Sequence, residues 1–243
     1  MMDTANCKYV ASCAFTRENP ELSVKVQDYL QQRFAMPAMR CCMSDYTDFT
    51  DAMPEWLRSR WRETPNYLNF AAGDIMVYVC HNCAAIFEET LPGVKRISLW
   101  ELILSDGEFL FPDYAHEKMT LQDCWRSYDN APEQEAVRRL LQKMNVDFTE
   151  LEENRENTQF CGITLYTPAS KRALELAPNR FATRAEGKFI PHTPEQQKAL
   201  MQKHCEKIMT DKVVVYCHYC TKGIALGGKQ PRHLASLLFD FPS

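Results

Sequence analysis

At 243 residues the chain has room for one large domain or two of ordinary size, and either can bury a core of its own. Hydrophobic and charged fractions of 45% and 25% are those of a soluble globular protein, and no apolar run approaches the ~20 residues that span a bilayer. A net charge of -4 without a lysine- or arginine-rich run leaves no electrostatic footprint for nucleic acid or an anionic membrane. The opening MMDTANCKYV lacks the basic start and long apolar segment of a secretory signal, so a cytoplasmic chain is expected.

Cysteine is the outlier, with eleven copies. A long chain with ample apolar content in a reducing compartment has no need of a disulfide frame, so metal or redox chemistry is the expected use. In chain order, the strand KYVAS leads to Cys13. Next comes a helix in which Leu22, Val26, Tyr29, Leu30 and Phe34 recur at helical spacing, with Asn19 as N-cap and Pro20 in the first turn. Cys41 and Cys42 follow, then a helix near PEWLRSRW, then the β-branched run IMVYVCHNC, which delivers Cys80 and Cys83. Turn signals in LSDGEFLFPDYAHE, residues 104–117, place a boundary there and divide the chain into lobes at 1–108 and 109–243.

The second half repeats the order of parts. EKMTLQDCW delivers Cys124, Pro132 opens a helix with Val137, Leu140, Leu141 and Met144 inward, and VDFTEL precedes Phe160-Cys161-Gly162. VVVYCHYC then carries Cys217 and Cys220. VKRISLWELIL after the first cysteine pair is matched by QPRHLASLLF after the second. The interval from Cys161 to Cys217 is longer than that from Cys42 to Cys80, and Thr193, Pro194 and Gln196 predict a capping-box helix within the excess. Strands alternating with helices, twice over, predict an α/β protein. It should have two tandem, pseudo-duplicated lobes with short, mostly parallel sheets flanked by helices.

Loops at the C-terminal ends of parallel strands share one edge of a sheet, where helix N-termini favour negative charge. Cys13, Cys80, Cys83, Cys124, Cys217 and Cys220 all fall at predicted strand ends. Several thiolates gathered together repel one another unless cations bind them. Iron or zinc satisfies that need, and a metal-free CxxC switch, in which one sulfur attacks and the other resolves, is the third possibility.

A lone cysteine, an adjacent pair and a later CxxC together resemble the cysteine-rich CCG domain family of heterodisulfide reductase and related oxidases, and the resemblance spans both lobes. It implies that Cys13, Cys41, Cys42, Cys80 and Cys83 bind a [4Fe-4S] iron-sulfur cluster of noncubane type, used for electron transfer or disulfide reduction. Met43 stands where that family has glycine. The second copy keeps Cys124, Cys161, Cys217, Cys220 and Gly162, but Phe160 replaces the first of the adjacent pair, so a second iron-sulfur cluster or a zinc ion is expected there.

His81 and His218 occupy the same place inside the two CxxC segments, either as donors to a bound centre or as polar residues on exposed turns. Cys205 is expected as a buried helix cysteine, with a fifth ligand as the alternative, and Cys7 as a free thiol. GIALGGK lacks the order of a phosphate-binding loop and predicts close backbone packing instead. Without a flavin or nicotinamide fingerprint, electrons would come from a redox protein or flavoprotein subunit, with a small thiol or disulfide as the substrate class. A zinc-binding interaction protein with no redox role is the alternative reading.

Overall fold

The computed structural model describes residues 4–41, 50–66 and 69–240. Two compact units divide the chain, Met1–Gly107 and Glu108–Ser243, each an α/β assembly around a four-stranded, wholly parallel sheet. The expected architecture of two similar lobes is therefore what the chain adopts.

In the first unit the elements are β1 (Cys7–Ala11), α1 (Cys13–Glu18), α2 (Pro20–Phe34), β2 (Ala38–Arg40), α3 (Glu55–Glu63), β3 (Ile75–Tyr78), α4 (His81–Thr90), β4 (Lys95–Ser98) and α5 (Leu99–Ser105). The sheet order is β2-β1-β3-β4, with Val10 beside Met39 on one side and Tyr78 on the other. Strands covered on both faces need apolar side chains throughout, and Val10, Met76 and Val77 are fully buried. Helix α2 buries Leu22, Val26 and Leu30 on one stripe. It ends at Ala35, whose left-handed backbone (φ 49°) returns its N–H to the Gln31 and Leu30 carbonyls. Two local expectations change. Ser12 leaves the strand to cap α1 through the Phe15 N–H, and Asn19 precedes α2 without a side-chain cap, since its own N–H closes α1 onto Phe15.

The second unit comprises β5 (Lys118–Leu121), a 3-10 turn Trp125–Ser127, α6 (Ala131–Lys143), β6 (Asp147–Glu150), a 3-10 turn Arg155–Asn157, a 3-10 segment Gly162–Tyr166, α7 (Lys171–Leu176), a π-helical turn Asn179–Thr183, α8 (Pro194–Cys205), β7 (Lys212–Val215), α9 (His218–Leu226), β8 (Gln230–His233) and α10 (Leu234–Phe239). Its order, β6-β5-β7-β8, repeats that of the first unit. Both bonds of the predicted capping box form at α8, where Gln196 N–H donates to Thr193 Oγ1 and Thr193 N–H donates to Gln196 Oε1. No helix among the described residues is long and apolar enough to cross a membrane.

Each sheet changes direction between its two central strands: the chain steps outward from β1 to β2, or β5 to β6, and then crosses to β3 or β7 on the other side. Loops leaving the two central strands at such a switch point diverge and open a crevice at the strand ends, the usual place for a ligand in a parallel sheet.

Candidate metal centre

The second-unit crevice is filled by thiols. Cys124 follows β5 and Cys217 follows the neighbouring β7, while the chain beyond β6 brings in Cys161. Cys217 is the N-cap of α9 and Cys220 lies three residues on, so one helical turn points both sulfurs the same way. The sulfurs of Cys124, Cys161, Cys217 and Cys220 all lie within 4.8 Å of one another, and all four residues are buried.

Glycine permits this closeness. Gly162 has φ 59°, and a Cβ there would run into the Tyr219 carbonyl oxygen. Gly223, one turn beyond Cys220 in α9, would press a Cβ into Gly162, with the Met201 sulfur at 2.9 Å and the Phe160 ring at 3.1 Å. The expected close backbone packing thus brings α9 against both the Cys161 loop and α8, and Gly227 extends it by lying over Cys205.

The charges are set from outside the cysteine pattern. Arg126 is buried, and its Nη1 donates to Cys161 Sγ and, at 3.1 Å, to Thr164 Oγ1. Cys124 accepts from the Arg126 backbone N–H at 3.4 Å and lies 3.4 Å from Cys161. Burial, then hydrogen bonding with Cys161 and Cys217, pushes the Cys124 thiol up, and burial leads the rise at Cys220. Burial also opposes ionisation of Cys161, but bonds from Cys124 and Cys220 and the Arg126 charge outweigh it and hold that thiol below its usual value. Cys161 therefore ionises more readily than Cys124 and Cys220, which need a further cation to be held as thiolates.

A polar frame backs two of the cysteines. Asp123, fully buried, accepts from Arg138 Nη2 at 2.7 Å, from the Arg155 backbone N–H at 2.7 Å and from the Tyr216 hydroxyl at 2.9 Å. Neither Arg126 nor this frame was expected from the sequence. A signal was available in the repeated order of parts: with Cys124 set against Cys13, Arg126 stands opposite Phe15, and a place filled by phenylalanine in one copy points to an interior position in the other.

In the first unit Cys13 opens α1 directly after β1, Cys41 follows β2, and Cys80 and Cys83 bracket the start of α4, the same strand ends as in the second unit. Hydrogen bonds with Cys41 and then Cys80, followed by burial, push the Cys83 thiol well up, which places these three thiols together. Tyr9, fully buried, is close enough that Cys83 and Cys80 add to the burial that raises its phenol, and its hydroxyl has no hydrogen-bond partner among the described residues. Cys42 and Met43 lie outside the described residues. Cys7 sits at the start of β1, opposite Ile75, away from the strand ends that carry the other cysteines.

The sulfur of Cys205 faces the Ile224 carbonyl at 3.9 Å and is not one of the four gathered second-unit thiols. His81 and His218 are the first residues of α4 and α9 and are buried, not set on exposed turns: the α-helical turn that aims the cysteines carries them inside.

No protein-family model matches the sequence, and no curated protein is similar to it. Among solved structures, the glutamate racemase isoform RacE1 from Bacillus anthracis is similar at a TM-score of 0.35 and 10% identity, over 96% of this chain and 78% of that one, a likeness too low to bear on fold or activity.

Proposed function

We propose that the chain is an iron-sulfur redox protein of the CCG type, an electron-transfer or disulfide-reducing component with one metal centre in each unit. The observation that carries the metal part is the convergence of Cys124, Cys161, Cys217 and Cys220 within 4.8 Å. Four thiols drawn from three separate segments and closed off from water form a complete donor set for iron or zinc. Packing alone gives no reason to collect them, because small apolar residues would fill the same space without burying ionisable groups.

In the first unit the cluster would be held by Cys13, Cys41, Cys80 and Cys83 from matching strand ends, with Cys42 as the fifth ligand that the family resemblance implies. Such a group supplies one-electron chemistry at iron. The chain's own residues supply a dry pocket and, in the Tyr9 hydroxyl, a buried donor beside the Cys80 and Cys83 pair. Electrons would arrive from a redox protein or flavoprotein subunit in a reducing, cytoplasmic setting, with a small thiol or disulfide as the substrate class.

A single ion in the second unit is the reading its sulfur spacing favours. Zn–S bonds of ~2.3 Å put the four sulfurs of a tetrahedron about 3.8 Å apart, within the range this pocket spans, whereas a multi-iron cluster spreads its ligands wider. Zinc there would be structural. Anaerobic expression followed by iron, zinc and acid-labile sulfide analysis tests both readings. Iron with sulfide supports the redox protein, zinc alone without sulfide replaces it with a zinc-binding interaction protein, and metal-free chain with a reversible dithiol titration rejects both.

A further inference from the structure

The second unit carries a cation built into its thiol cluster. Arg126 is only 7% exposed, binds Cys161 Sγ and Thr164 Oγ1 through Nη1, and binds Cys124 Sγ through its backbone N–H. Three rings surround its guanidinium, with Tyr219 at 4.8 Å, Phe189 at 5.5 Å and Phe181 at 6.0 Å. Tyr219 stands between Cys217 and Cys220, while Phe181 and Phe189 come from the longer connection between Cys161 and α8. That connection is anchored beside the site. Arg180, next to Phe181, grips Asp129 through two bonds of 3.0 and 2.8 Å. At the matching place in the first unit, two residues after Cys13, stands the fully buried Phe15.

A divalent ion held by four thiolates keeps an excess of two negative charges, which is costly in a buried pocket. One guanidinium hydrogen-bonded to a ligand sulfur halves that excess, and its planar face can be enclosed by aromatic rings without losing its charge. We propose that Arg126 is the resident counter-cation of the second-unit metal centre, held against Cys161 by the aromatic segment that lengthens this copy, and that it strengthens retention of a four-sulfur-bound ion. The role is a positioning and charge-balancing one, and it rests on the metal reading above. It also gives the second unit's additional residues a purpose, since their rings close a box that the first unit does not require.

The test is cobalt and zinc titration of the full-length chain against a competing chelator, comparing wild type with R126Q, which keeps a donor without the charge, and R126K, which keeps the charge. R126Q should bind zinc about 10–100-fold more weakly, the usual cost of losing a group that supports a metal ligand, and R126K should recover most of the loss. Wild-type affinity in R126Q, or R126K as weak as R126Q, would overturn the proposal while leaving the metal site standing. Should R126Q fail to fold, Phe189→Leu opens one wall of the box: faster zinc release supports the role and wild-type release overturns it. A wild-type chain that takes up neither cobalt, zinc nor iron removes the metal reading and this proposal together.

Discussion

The Tyr216 hydroxyl donates to the Asp123 carboxylate at 2.9 Å, and each of these residues immediately precedes a cysteine of the second-unit cluster. The bond joins the ends of β5 and β7 behind the sulfurs, so the spacing of Cys124 and Cys217 is fixed by a buried polar contact as well as by the sheet. Asp123 also answers the charge of Arg138, which is equally buried. Tyr216→Phe should therefore cost about 1.5–3 kcal/mol, the range for a hydrogen bond to a charged group. Asp123→Ala should cost about 3–5 kcal/mol, because it leaves a buried guanidinium with one partner fewer. Denaturant unfolding of the metal-free chain reads both losses, and equal, sub-kcal effects would mean that the pair holds nothing in place.

Close approach of backbones predicts a second pair of effects. Gly162→Ala adds a Cβ in a left-handed conformation against the Tyr219 carbonyl, and Gly223→Ala adds one against Gly162 itself. Each should destabilise by about 1–3 kcal/mol or more and loosen metal binding, since the Cys161 loop and α9 must separate. Gly107→Ala meets no atom within 4 Å and serves as the control, with an effect within about 0.5 kcal/mol. Chemical denaturation of the three variants side by side checks the ranking.

Much of this was legible in the sequence because it rests on local rules. The period of Leu22, Val26 and Leu30, the Thr193–Gln196 capping box and the β-branched runs before Cys80 and Cys217 each specify an element without reference to the rest of the chain. The repeated order of parts then specified two similar lobes. What escaped notice depends on long-range pairing of polar groups. Asp123, Arg138 and Arg126 are buried only because distant residues answer their charges, and hydropathy assigns such residues to the surface. The sequence left His81 and His218 open between donors to a bound centre and polar residues on exposed turns; their burial follows from each starting a helix that turns its first side chain inward.

His204 predicts a dependence on pH. Its ring stacks on Phe160 with centroids 4.2 Å apart and lies 2.6 Å from Gln122 Oε1. Burial, and then the Lys207 charge, lowers its pKa from 6.5 to about 4. Between those values the unfolded chain takes up a proton that the folded chain refuses, so stability rises with pH through this window. The contribution is fully present above pH 6.5 and fades as pH falls toward 4, by an amount on the order of 2–3 kcal/mol. Unfolding free energies at pH 7 and 4.5 should differ by more in the wild type than in His204→Gln; parallel slopes would contradict this.

Cys205 belongs to the packing between α8 and α9, where its sulfur faces the Ile224 carbonyl. Cys205→Ala should leave the metal content per chain unchanged, while Cys161→Ala should abolish loading at the second site. Metal analysis of the two variants, purified under identical conditions, separates a packing cysteine from a ligand. Loss of metal in Cys205→Ala would return it to the ligand set.

The most direct test of a cysteine-held centre in the second unit is X-ray absorption at the metal edge, on full-length chain in which Cys13, Cys41, Cys42, Cys80 and Cys83 are replaced by serine. A single shell of four sulfurs near ~2.3 Å is the predicted result, from Cys124, Cys161, Cys217 and Cys220 alone. A shell of nitrogen or oxygen neighbours, or a folded chain that retains no metal, would contradict it.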